Sequence, residues 1–88
     1  MKLLLCKSCQ DIVRPLIGKE RSCECGACTI IGESDGITVT YSGKEKAVIF
    51  GFNNSSLVQA VRNQPNEGMG KDFIAFVIPK NCSSVKKK

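Results

Sequence analysis

Cys6-Lys7-Ser8-Cys9 and, after thirteen intervening residues, Cys23-Glu24-Cys25-Gly26-Ala27-Cys28 hold five of the six cysteines of this 88-residue chain. A domain this short builds only a small hydrophobic interior, and domains of its size usually rely on a staple. Two tight turns, each presenting two sulfurs across a short insertion, form the pattern of a four-cysteine zinc ribbon. Zinc needs four soft or borderline donors in a tetrahedron, and the segment Gln10 to Ser22 becomes the loop or short hairpin that the ion closes. This spacing sets zinc ahead of an iron–sulfur centre or structural free thiols. Cys6 and Cys9 are the first two ligands. The second pair reads two ways. Cys25 and Cys28 repeat the spacing of the first pair, whereas Cys23 and Cys25 make a tighter turn. In the latter, Gly26 lets the backbone fold over the last sulfur at positive φ. Cys82 is remote and solitary, and reads as a buried or half-buried hydrophobe.

The chain has no His. That removes Ser-His-Asp and Cys-His catalysis, histidine metal ligands and a histidine pH switch. A catalytic zinc keeps an open position, often beside a general base. Five crowded cysteines describe a closed structural site instead. With no paired carboxylates and no nucleotide fingerprint, the expected class is a non-enzymatic binding protein.

Beyond the cysteines the pattern changes. Ile37 to Tyr41 alternates and is rich in β-branched residues, Ser42-Gly43-Lys44-Glu45 is turn chemistry, and Ala47 to Phe50 is apolar, so the segment predicts an antiparallel hairpin. Asn53 to Ser56 offers several N-caps for a helix that places Leu57 and Val61 on one face and stops before Pro65. Phe73 to Ile78 is an apolar run of strand length ended by Pro79, and predicts a buried strand, even the centre of the sheet.

Charge is uneven. Residues 61 to 88 carry six basic and two acidic groups, three of the bases being Lys86, Lys87 and Lys88 at the end. A terminal lysine run reads as a solvated tail. Without it, and with four thiolates on one zinc ion, the body sits near neutrality, so the basic balance gives nucleic-acid binding little support. No stretch approaches the roughly 18 apolar residues of a membrane span. Met1 to Cys6 is too short in leucines for a signal peptide. A cytoplasmic location is the expectation, and in a reducing cytosol clustered cysteines read as metal ligands.

A second candidate site lies at the predicted helix start. Asn53, Asn54, Ser55 and Ser56 would gather amides and hydroxyls at a helix N-terminus, where anions are favoured. Arg62 follows on the helix, and Lys71 follows the loop Glu67-Gly68-Met69-Gly70. The plainer reading is a capped helix and an ordinary turn. The sharper one is a cleft for a phosphate-bearing small molecule, formed between copies of the chain in a homo-oligomer.

Taken together, C-K-S-C, R-S-C-E-C-G, G-F-N-N-S-S, Q-P-N-E-G-M-G and F-I-A-F-V-I-P-K-N-C resemble a group of short uncharacterised phage and bacterial proteins that begin with a small zinc ribbon. The resemblance spans most of the chain. It implies a ribbon on a small α+β body, with Cys23 and Cys25 as the second ligand pair, and no established activity. Phage proteins of this size are often inhibitors, adaptors or small-molecule sponges acting against host defence.

The expectation is therefore one α+β domain over 1–80, with a zinc ribbon at 1–30 packed on a short antiparallel sheet and one helix at 31–80, and a flexible basic tail at 81–88. The expected zinc ligands are Cys6, Cys9, Cys23 and Cys25. The expected function is sequestration of a phosphate-bearing, nucleotide-derived ligand, with a protein adaptor or inhibitor, or a nucleic-acid binder, as alternatives.

Overall fold

A computed structural model describes residues 1–66, 71–79 and 81–88. The fold is α+β, with two four-stranded sheets and one α-helix among the described residues. The first sheet has the order β2 (Ile12–Val13), β1 (Lys2–Cys6), β6 (Ala47–Phe52), β7 (Ala75–Val77), all antiparallel. The second has the order β3 (Arg21–Ser22), β4 (Thr29–Gly32), β5 (Val39–Ser42), β8 (Val85–Lys87), with β5 and β8 parallel.

Strand periodicity explains the core. Leu4 and Cys6 of β1, Val13 of β2, and Ala47 and Ile49 of β6 point to one face of the first sheet. Ile30 of β4, Val39 and Tyr41 of β5 and Val85 of β8 are buried from the second. Together with Cys23 and Cys28 they form one apolar cluster, so the two sheets share a single interior. The alternate residues of β1 and β6 are also apolar, and the outer face of the first sheet stays partly open to solvent.

The predicted hairpin of Ile37–Tyr41 with Ala47–Phe50 does not form. Both strands exist, but β5 pairs with β4 and β8 while β6 pairs with β1 and β7. The connection is a 3₁₀ turn over Lys44–Lys46 that carries the chain from one sheet to the other. Gly43, at φ 126°, makes this crossing possible, since a Cβ there would lie 2.6 Å from Cys28 Sγ. Turn residues alone marked a reversal and did not tell which sheet each strand joins.

Two further expectations are corrected. The run Phe73 to Ile78 is not the buried centre of a sheet: its strand β7 is an edge, and Ala75, Phe76 and Val77 are all exposed. β1 and β6 occupy the centre instead. The terminal segment is not a free tail, because Val85 is buried and β8 runs parallel to β5 with Val39 opposite Val85. The Lys88 amide donates to the Tyr41 carbonyl at 2.7 Å, and its ammonium pairs with Glu20. The lysine side chains stay in water while the backbone closes a sheet edge.

The helix agrees with the sequence. α1 spans Asn54–Asn63, with Asn53 Oδ1 accepting the Ser56 amide at 3.2 Å. Gln64 is extended, as a residue before proline must be. Only Ala60 of this helix is buried, and Val58 and Val61 remain exposed. No helix among the described residues is long and apolar enough to cross a membrane.

Candidate metal centre

Two turns build the site. β1 ends at Cys6, and Lys7 to Cys9 reverse the chain, with the Gln10 amide donating to the Cys6 carbonyl at 2.7 Å and the Cys6 amide to Asp11 at 3.0 Å. The second turn joins β3 to β4. Here the Cys23 amide donates to the Cys28 carbonyl at 3.0 Å and the Gly26 amide to the Cys23 carbonyl at 3.0 Å. Gly26 takes φ 78°, the conformation its place after Cys25 suggested. Asp11 ties the turns together, its Oδ2 accepting the Glu24 amide at 3.0 Å.

The four sulfurs of Cys6, Cys9, Cys23 and Cys25 lie within 4.8 Å of one another. Cys6 and Cys25 are 3.7 Å apart and Cys23 and Cys25 3.5 Å apart. These four cysteines can hold a metal ion. Cys28 takes the other side of its turn. Its buried sulfur packs against Gly43, and its amide donates to Cys23 Sγ at 3.3 Å. Cys23, not Cys28, thus joins Cys6, Cys9 and Cys25 in the sulfur cluster. Cys28 supplies core volume and a hydrogen bond to the Cys23 sulfur.

The electrostatics divide the thiols differently, lowering Cys6 and Cys23 and raising Cys25 and Cys28. The Cys9 amide, opposed by burial and helped by the Ser8 amide, holds Cys6 down at about 6. Burial works to raise Cys23, but the Cys28 amide and neighbouring thiols leave it below the ordinary thiol value. The Ala27 amide favours the Cys25 thiolate, yet Cys23, Cys9 and burial outweigh it and push Cys25 up to about 11. Four sulfurs this close cannot all be anionic unless a cation sits among them. Cys28 is pushed up to about 12, chiefly by burial, as suits a neutral core thiol. Cys82 is half-buried against the core with its sulfur 3.3 Å from Ser84 Oγ, matching its reading as a packing residue.

Compared with known proteins, this chain matches no family, no curated sequence and no solved structure.

The second candidate site is dispersed. Asn53 Oδ1 is occupied as the helix cap, and Ser56 Oγ accepts the Ile74 amide at 2.9 Å. Asn54 and Ser55 are exposed in the first turn. Arg62 stands near the other end of α1, eight residues from Asn54, or about 12 Å along the axis. Lys71 is exposed, and the loop Glu67 to Gly70 lies outside the described residues. Of the six residues, Asn54 lines a groove of about 620 Å³ that also touches Lys2 and Arg14. Sequence reasoning missed both cations, because neither belongs to a recognisable motif.

Proposed function

We propose that this chain is a zinc-stapled, non-enzymatic binding module. The observation that carries the metal reading is the sulfur geometry. A tetrahedron with Zn–S bonds of about 2.3 Å puts its sulfurs about 3.8 Å apart, and the Cys6–Cys25 separation is 3.7 Å. A set of four thiols with no nitrogen or carboxylate donor suits zinc. Backbone N–H groups aimed at Cys6, Cys23 and Cys25 supply the outer hydrogen bonds that orient such ligands. Four protein ligands fill the coordination sphere, leaving no open position for chemistry. The ion would join β1 of one sheet to the β3–β4 turn of the other, which makes it a folding element.

For the binding role, a phosphate-bearing small molecule is the first reading, supported by Asn54, Lys2 and Arg14 sharing one groove. A protein partner is the second. It is supported by the apolar outer face of the first sheet, where Ile12 is 57% and Val77 70% exposed. Native mass spectrometry of the purified chain tests both halves of the reading. One zinc per chain, with a retained small anionic ligand or a second protein, is the expected result. Folded protein with zinc far below one equivalent would overturn the metal reading. A zinc-loaded chain that shows no heat in calorimetry against a nucleotide panel would turn the binding reading toward the protein partner.

A further inference from the structure

The groove beside Asn54 has walls from three separate parts of the chain. One wall is the segment after β2, which carries Arg14, Leu16 and Ile17. Backbone bonds fix this wall: the Gly32 amide donates to the Leu16 carbonyl at 2.9 Å and the Gly18 amide to the Gly32 carbonyl at 3.0 Å. A second wall, bonded to the first through Gly32, is the β4–β5 hairpin, whose tip carries Ile37. Lys2, at the start of β1, closes one end, and its ammonium donates to the Ile37 carbonyl at 2.8 Å. Apolar side chains stand open on both walls, Ile17 at 66% and Ile37 at 63% exposure.

Glu33, an acid in the groove lining, and its neighbour Asp35 each accept hydrogen bonds within their own hairpin. Asp35 accepts the amides of Ile37 and Thr38 and the Thr38 hydroxyl at 2.6–2.9 Å. Glu33 accepts the Thr40 hydroxyl at 2.6 Å. Arg14 has no acidic partner among the described residues, since the single ion pair there is Lys88 with Glu20. The Lys2 ammonium has spent one of its three donors. Two cations and the engaged Glu33 carboxylate thus line a space of about 620 Å³ whose mixed walls also carry Leu16, Ile17 and Ile37, within the roughly 300–1,000 Å³ typical of small-molecule sites.

We propose that this groove binds a small organic anion that carries an apolar body. Arg14 and Lys2 hold the anionic group and Leu16, Ile17 and Ile37 cover the body. The proposal rests on the binding half of the reading above and deepens it, requiring that the anion held in this groove carry an apolar body. No aromatic side chain is needed, and the charge must come with an apolar part, because bare phosphate would leave both walls wet.

The test uses the zinc-loaded full chain and the probe 8-anilinonaphthalene-1-sulfonate, followed by amide NMR. Shifts centred on Arg14–Gly18 and Gly32–Val39 are expected, with Arg14→Gln weakening binding by about tenfold, the usual worth of one charged hydrogen bond. Lys2→Gln should also weaken it, and Arg62→Gln, remote on the helix, should not. Inorganic phosphate alone should give no saturable shifts. Shifts centred instead on Leu5, Phe50 and Val77, unchanged affinity in Arg14→Gln, or phosphate binding as tightly as the probe would each overturn the proposal. Zinc content measured on the same samples reports separately on the metal, so failure of the groove and failure of the metal reading give different results.

Discussion

The cysteine-bearing end of the molecule and its helix-bearing flank use opposite means to stay ordered. At the first, Cys6, Cys23 and Cys28 are buried beside Leu4, Ile30 and Ile49, and both sheets meet. At the second, α1 buries only Ala60, and β7 leaves Phe76 and Val77 in solvent. The chain is too short to build a full interior on both sides, so its cohesion is concentrated where sulfur and core coincide. The helix flank is held by a cap, a proline stop and the hydrogen bonds that tie Asn53 and Ser56 to Ile74.

The largest expected effect is at the cysteine end. Cys6→Ser should abolish cooperative unfolding under conditions where the parent chain is folded, because a structural zinc site contributes on the order of 10 kcal/mol. Circular dichroism against denaturant measures it, and a Cys6→Ser chain that unfolds cooperatively at the parent midpoint would break the contrast. Next comes the core beside the site. Ile49→Ala should cost about 2–5 kcal/mol, whereas Val77→Ala on the exposed edge should fall within about 0.5 kcal/mol. Equal losses at both positions would mean that the helix flank is as tightly packed as the cysteine end.

Smaller effects sharpen the comparison. Asn53→Ala removes the helix cap and should cost about 1 kcal/mol. It should also speed hydrogen exchange in Asn54–Asn63 while leaving Cys6 and Ile30 protected. Asp35→Asn should destabilise the chain slightly. The Thr38 hydroxyl, helped by the Thr38 and Ile37 amides, holds Asp35 down at about 2, below its ordinary 3.8. A carboxylate lowered in this way stabilises the fold above its unfolded pKa and loses that contribution as pH falls through about 2. The Asp35→Asn penalty should therefore be constant from about pH 8 to about pH 6. Metal-dependent stability should fall over the same range as protons compete for the thiolates. A penalty that tracks the loss of metal would show that Asp35 acts through the site.

Local chemistry was legible and partner choice was not. Asn53 and Pro65 bound the helix as their backbone preferences require, and the cysteine turns formed where their spacing placed them. The pairings of β5 and β6 were hidden because Ser42-Gly43 encodes a reversal without saying which sheet receives the chain. β7 looked central because Phe73 to Ile78 is uniformly apolar, and an apolar edge carries the same composition as an apolar centre. β8 was masked by its lysines, whose side chains stay in water while Val85 and the backbone do the pairing. At the candidate metal site, spacing supplied Cys6, Cys9 and Cys25, and the three-dimensional turn placed Cys23 rather than Cys28 in the sulfur cluster.

The most direct test is to strip the purified chain with a chelator and record its amide NMR spectrum before and after. The account predicts that dispersion collapses across both sheets, with Leu4, Ile30 and Ile49 losing protection together and regaining it when zinc is returned. An unmoved spectrum from a chain shown to have lost its metal would contradict it.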